Sequence, residues 1–273
     1  MPELPEVEVF ARYLAEHVLD RSIAAVAAGD SFVRRDVSER QLQRALVGGS
    51  FACVRRHGKW TFIEVCSGGP ANPKATGSAA CWLVLHFGMT GAPIALSAET
   101  PMPRFPRFVT DFADGGHLVL DDARRLGGVG LTESPEAWIA AHHLGPDALD
   151  ASLPELTAAL RRRRGRLKPL LLDQTVVAGV GNVYADEILY QARLHPLRRI
   201  SELDDASVVR LAETIHQVLA IAVELGALFH LMPDDWLVRH RKEGGKGPCC
   251  GGKVERIALG GRSTYFCPSC QRP

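Results

Sequence analysis

The chain has 273 residues, 46% of them hydrophobic and 23% charged, with a formal net charge of +1. That is enough apolar content for a sizeable core in two or more globular domains, and too balanced a charge to announce a polyanion partner from bulk electrostatics. The chain opens with no basic-then-apolar leader, and no uninterrupted apolar run nears the roughly 18 residues of a membrane span, so a cytosolic protein is expected.

The first segment, "MPELPEVEVF", crowds two prolines and three carboxylates into eight residues. Proline is tolerated in a first helical turn and acidic groups there complement the helix dipole, so a helix is expected through Glu16. "SIAAVAAG", "SFACVRRHGKWTFIEV", "AACWLVLHFGMTG", "RFVTDFADGGHLVLDD" and "GLT" then read as strands broken by Gly, Pro and Asp turns. Cys53, Cys66 and Cys81 lie in these strands as small buried side chains. Residues 67–80 read as a solvated loop carrying no chemistry.

From about residue 135, helical spacing with Ser, Asp and Pro starts takes over in "SPEAWIAAHHL", "SLPELTAALRRRR", "RLKPLLLDQ", "VYADEILYQARL" and "DDASVVRLAETIHQVLAIAVELGA". The last 40 residues are too poor in apolar side chains to fold on a core alone. The expected division is 1–134 for a β domain, 135–233 for a helical domain and 234–273 for a small appendage.

Three motifs carry chemistry. Four of the seven cysteines, Cys249, Cys250, Cys267 and Cys270, fall in the last 25 residues. Cys267 and Cys270 form a C-x-x-C knuckle, and the sixteen residues between Cys250 and Cys267 read as a hairpin, which points to a metal ribbon rather than a disulfide framework. The fourth ligand is open: a partner knuckle ending at Cys250 would begin at position 247, which is Gly247, leaving Cys249 or His240, or a hairpin without metal. The second motif is "VVAGVGNVYADEIL", where Gly179 and Gly181 permit a tight turn and the N–H groups starting the next helix, with Asn182, could hold an anion such as a DNA phosphate. Arg161 to Arg164, Arg166 and Lys168 precede it, which reads as a solvated face or as a phosphate track. The third is "RRHGKW", placing Lys59 on a strand, where a lone lysine is ordinarily a solubility charge.

The order of a Pro-Glu-Leu-Pro-Glu start, Arg-x-Gly-Lys, "HFGMTG", "DDARRLGG", "GVGNVYADE" and a terminal "GRSTYFCPSCQ" spans essentially the whole chain. It resembles the bacterial formamidopyrimidine-DNA glycosylase / endonuclease VIII family. The resemblance implies an α+β multidomain fold: an N-terminal β-sandwich with an N-terminal helix, a helix–two-turns–helix domain and a zinc-ribbon-like β-hairpin. It implies a bifunctional glycosylase and abasic-site lyase acting on damaged double-stranded DNA in the bacterial cytoplasm, as a monomer away from membranes.

By that resemblance Pro2, freed by loss of Met1, is the nucleophile, and its secondary amine forms the iminium from which β,δ-elimination proceeds. Glu3 handles protons at the sugar, Glu6 orders the site, and Lys59 contacts phosphate beside the lesion. One of the carboxylates must hold a proton and so have a raised pKa. Met89 and Arg124 match residues that fill the gap left by the flipped nucleotide and reach the orphaned base. Leu126 stands where purine-specific members carry Phe, and "ALFHLMPDDWLVRHRKEGG" replaces a Ser- and Gly-rich lesion cap, so oxidised pyrimidines, ring-opened purines and 8-oxoguanine all remain open as substrates. Lys168, Asn182 and Arg262 match phosphate contacts, and the ribbon implies one structural zinc. A damaged-DNA binding module or a zinc-ribbon adaptor is the alternative, and the presence of Pro2, Glu3 and Lys59 favours the enzyme.

Overall fold

The computed structural model describes residues 1–29, 36–66 and 81–272, so the loop expected at 67–80 lies outside the described residues. Residues 1–2 and 7–142 form one compact unit, and residues 3–6 and 143–273 form a second.

The first unit holds most of helix α1 (Leu4–Val18), strand β1 (Ile23–Ala27), helix α2 (Glu39–Leu46), strands β2 (Ser50–His57), β3 (Trp60–Cys66), β4 (Cys81–His86), β5 (Ala92–Leu96), β6 (Pro106–Phe112), β7 (His117–Asp121) and β8 (Gly128–Thr132), and helix α3 (Pro135–Ala141). The strands make two antiparallel sheets ordered β1-β6-β7-β5 and β2-β3-β4-β8. Phe51, Ile63, Leu83, Leu85 and Val129 of one sheet share a core with Ile23, Val26, Phe108, Phe112 and Leu118 of the other, which is sandwich packing. The continuous apolar run of β4 has a second cause: Trp82 and Val84 alternate onto the other face, packing with Phe62, Trp60 and Trp138 of α3.

Helix α2 escapes a reading based on hydrophobic runs because "SERQLQRAL" is mostly polar. Its signal is the capping box, in which the Ser38 side chain accepts from Gln41 N while the Gln41 side chain accepts from Ser38 N. Cysteine burial also needs correction. Cys66 is exposed at the end of β3, while Cys53 and Cys81 are only half-buried. Burial, with Glu64 beside it, pushes the Cys53 thiol up to about 11.

The second unit holds helices α4 (Leu153–Arg161), α5 (Leu167–Leu172), α6 (Asn182–Gln191) and α7 (Asp205–Glu224), then strands β9 (Glu255–Leu259) and β10 (Arg262–Phe266). By length and composition α7 is apolar enough to cross a membrane. Its apolar side chains, Val208, Leu211, Ile215, Val218 and Leu219, instead pack with Leu156, Leu160, Ile188 and Leu189 of α4 and α6. Strands β9 and β10 pair antiparallel from Leu259↔Arg262 to Glu255↔Phe266, the hairpin expected between Cys250 and Cys267.

Candidate active site and metal centre

The Gly-x-Gly turn does something its sequence does not announce. The first N–H groups of α6 do face an anion, but that anion belongs to the protein: the Glu3 carboxylate accepts from Val183 N at 2.9 Å and from Tyr184 N at 3.1 Å. A helix N-terminus is a ready anion site, and here an internal side chain takes it. Leu4 N donates to Gly179 O at 3.1 Å, fixing the start of α1 beside the same turn. The glycines are required by that close approach. A Cβ on Gly181 would fall 2.1 Å from Glu3 Cδ, and one on Gly179 would fall 2.4 Å from Leu4 Cδ1.

Glu3 is 2% exposed, and its own N–H donates to Glu6 Oε2 at 2.9 Å. Burial pushes the Glu6 carboxyl up to about 7, and the Glu3 charge adds to the effect. Glu6 is therefore a carboxyl able to hold a proton near neutral pH. The fully buried Tyr184 hydroxyl, which has no hydrogen-bond partner among the described residues, is driven up by burial and by both carboxylates. Pro2, half-buried, belongs to the first unit and is one peptide bond from Glu3.

Lys59 lies in the first unit, in the two-residue turn joining β2 to β3 and not on a strand: His57 pairs with Trp60 across Gly58 and Lys59. The backbone reverses at Gly58, where φ is +57°, so the lysine sits in a hairpin turn whose position register fixes on both sides.

Met89, Arg124 and Leu126 are brought together on two abutting loops of the first unit. Met89 is 37% and Leu126 44% exposed. The organiser is Asp122, fully buried and invisible to motif reasoning because "DDARRLGG" looks like a polar turn. Its carboxylate accepts from Thr90 Oγ1 at 2.5 Å, Arg124 N at 3.1 Å and Gly127 N at 2.7 Å. Burial alone would raise the Asp122 pKa, but those donors outweigh it and hold the carboxyl below its ordinary value. The loops touch at Gly88, where φ is +59° and a Cβ would meet the Leu126 carbonyl carbon at 2.3 Å.

Lys168 is not at the surface. Its side chain is fully buried, with Nζ donating to Asp186 Oδ1 at 2.6 Å and to Ser263 O at 3.0 Å. Asp186 Oδ2 also accepts from Arg241 Nε at 2.9 Å and from Tyr265 N at 3.1 Å. Burial raises the Asp186 pKa despite both cations and lowers that of Lys168 despite Asp186, so desolvation is the larger effect on each partner. The lysine read as a phosphate contact thus ties α5 and α6 to β10. Asn182 opens α6 with its Oδ1 buried and unpartnered among the described residues, and Arg262 is exposed at the hairpin tip. In the arginine run, Arg161 pairs with Asp205 and Arg163 donates to Thr175 Oγ1, while Arg162 and Arg164 are exposed.

Cys250, Cys267 and Cys270 form a cluster whose sulfurs all lie within 4.8 Å of one another. Cys270 Sγ donates to Cys250 Sγ at 3.2 Å, and Cys250 and Cys267 are 3.4 Å apart. Hydrogen bonds from Cys270 and from Gly252 N draw the Cys250 thiol down, whereas burial pushes Cys270 up to about 12. Three sulfur donors so arranged fit a zinc ion. The fourth cysteine does not join them. Cys249 Sγ faces Asp235 O at 3.9 Å and its N–H donates to the Tyr190 hydroxyl, because adjacent side chains leave the backbone in different directions.

Known proteins match this chain along its length. Residues 1–129 match the formamidopyrimidine-DNA glycosylase N-terminal domain, 144–230 its H2TH domain, and 248–273 the zinc finger found in FPG and IleRS. A formamidopyrimidine-DNA glycosylase of Arabidopsis thaliana is 34% identical over all of this chain and 71% of its own length; one from Geobacter metallireducens is 33% identical over 99% and 100%. The Lactococcus lactis enzyme bound to DNA containing an abasic site superposes with a TM-score of 0.85 at 28% identity, covering 99% and 100% of the two chains. MutM in complex with DNA containing carbocyclic 8-oxo-G superposes equally well at 27% identity, covering both chains fully. Motif order, fold and these relatives lead to one conclusion: the chain belongs to the formamidopyrimidine-DNA glycosylase family of base-excision repair enzymes.

Proposed function

We propose that this chain removes oxidised bases from double-stranded DNA and cleaves the resulting abasic site, with the Pro2 nitrogen, exposed by removal of Met1, as the nucleophile. The observation that carries the reading is the double anchoring of the residues after Pro2. Leu4 N is bound to Gly179 O, and Glu3 is bound to two N–H groups of α6. A terminus otherwise prone to fray is thereby held in one position, as a nucleophile needs.

The chemistry follows from the groups present. An α-amine has a pKa of about 7.7 to 8.0, so a usable fraction of Pro2 is neutral near pH 7. Its lone pair attacks the sugar C1′, the C1′–N bond to the base breaks, and the base leaves with a proton. Ring opening gives an iminium on Pro2, the electron sink for successive elimination of the 3′ and 5′ phosphates. Glu3 handles the proton at the sugar, and Glu6, whose Oε2 accepts from Glu3 N and whose pKa is raised to about 7, orders Glu3 and can supply that proton. Lys59 binds the phosphate beside the lesion. Met89 and Leu126 fill the vacated stack while Arg124 reaches the unpaired base. Asn182 and Arg262 bind backbone phosphates. Cys250, Cys267 and Cys270 hold a zinc, which when bound supplies a structural cross-link. Catalytic, DNA-binding and clamp roles fall to residues 1–134, 135–233 and 234–273.

Borohydride trapping tests the reading on duplexes carrying an oxidised guanine, an oxidised pyrimidine or a plain abasic site, followed by mass mapping. An adduct at Pro2 is expected, and the order of the duplexes ranks the substrates. Tight binding with no adduct on any duplex would overturn it in favour of a damage-binding module.

A further inference from the structure

The terminal ribbon carries a metal-ligand set that is one donor short. Among the described residues, no fourth His, Cys, Asp or Glu joins Cys250, Cys267 and Cys270. Both remaining candidates are committed elsewhere: Cys249 faces Asp235 O, and His240 Nε2 lies 2.9 Å from Asp234 O. The Sγ distances of 3.2 and 3.4 Å are a few tenths below the roughly 3.8 Å that two thiolates keep around one zinc at about 2.3 Å each, so a small expansion admits the ion.

Gly247 is the backbone beside this cluster. A Cβ built on it would fall 3.2 Å from Cys267 Sγ and 3.1 Å from Gly252 O. Gly247 N donates to Gly252 O at 2.6 Å, Gly251 N to Gly247 O at 3.0 Å, and Gly252 N to Cys250 Sγ at 3.3 Å. The turn therefore wraps the cysteines as a metal knuckle does, but its leading residue has no side chain. The hairpin has another means of attachment, since Asp186 and Lys168 bind β10 through Tyr265 N and Ser263 O. Loss of a ligand need not unfold it.

We propose that this chain holds zinc through three cysteines and leaves the fourth coordination position, where Gly247 offers no side chain, open to a small thiol from solution. Closed four-ligand sites exchange nothing, whereas a three-ligand site takes an outside ligand, and a sulfur-rich site favours a soft one. The inference concerns the zinc site alone and does not rest on the chemistry proposed at Pro2.

The test uses the full chain with zinc replaced by cobalt(II), whose thiolate charge-transfer absorption counts bound sulfurs, titrated with 2-mercaptoethanol. The expected result is a saturable rise of that band by about one third in the wild type, as three sulfurs become four. Gly247→Cys should show the higher band without added thiol, fail to respond to it, and release metal to a chelator at least tenfold more slowly. Cys249→Ser and His240→Ala should behave as wild type. A wild-type band indifferent to thiol, a chain that retains no metal, or loss of a ligand in Cys249→Ser or His240→Ala would each overturn the proposal, and the wild-type titration decides it whether or not a variant folds.

Discussion

The two charges of the Lys168–Asp186 pair should be strongly coupled, so that removing both costs about as much as removing one. Lys168 is fully buried and Asp186 is 1% exposed, with 2.6 Å between Nζ and Oδ1. At an effective dielectric of 20 their attraction is about 6 kcal/mol, against a desolvation penalty of several kcal/mol per ion. Desolvation outweighs the attraction at each partner, since burial raises the Asp186 pKa and lowers that of Lys168. Asp186→Asn leaves Lys168 charged with only neutral acceptors, the amide oxygen and Ser263 O, and should cost about 3 to 5 kcal/mol. Lys168→Met leaves Asp186 with Arg241 and Tyr265 N and should cost about 2 to 3 kcal/mol. The double variant strands neither the buried lysine nor the buried aspartate and leaves only the partly exposed Arg241 without its carboxylate, so it should cost about as much as one single, with a coupling of about 2 to 3 kcal/mol. Hydrogen exchange of the α6 and β10 amides reads this within the second unit. Additive costs would refute the reasoning. The same burial predicts that Lys168→Met leaves the salt dependence of DNA binding unchanged, whereas Arg262→Ala lowers the log–log slope by about 0.9, the value for one lost phosphate contact.

Three further outcomes are expected. Burial raises Glu6 and Glu187 to about 7, so the folded form binds these protons more tightly than the unfolded one; their contribution to the stability of the second unit is fully present below pH 4.5 and is lost as pH rises through 7. Glu6→Gln keeps the acceptor for Glu3 N and should gain about 2 to 3 kcal/mol at pH 8 and under about 1 kcal/mol at pH 5, by hydrogen exchange; an equal gain at both would contradict it. Gly181→Ala drives a Cβ into Glu3, so borohydride trapping should fall at least tenfold while the α7 amides stay protected; full trapping would show that Glu3 does not need its seat on α6. Asp122→Ala strips the anchor from both exposed loops and should cost about 2 to 4 kcal/mol and loosen Met89 and Leu126, seen as faster exchange at Gly127 and weaker binding to abasic DNA.

Local pattern carried much of this molecule. Apolar runs broken by Gly, Pro and Asp turns mark the strands of the sandwich, Ser and Pro starts mark α3 and α4, and the cysteine spacing frames β9 and β10. Each of these rests on residues a few positions apart, where backbone stereochemistry and side-chain period act directly. Motif order over the whole chain added the family, which no single stretch supplies.

Partnership across sequence was not readable in the same way. Asp122, Asp186 and Glu3 are ordinary acidic residues until the fold buries them against Thr90, Lys168 and α6, separations of 32, 18 and about 180 residues. Lys168 looked like a surface cation because composition counts charge but not burial. Cys249 looked like a ligand because spacing along the chain does not say which way a side chain leaves it. What amino-acid order alone decided was secondary structure, family and the inventory of reactive groups. Which of those groups face one another, and at what cost in desolvation, was decided only by tertiary packing, because pKa, coordination and anchoring depend on distances between residues that the chain itself keeps far apart.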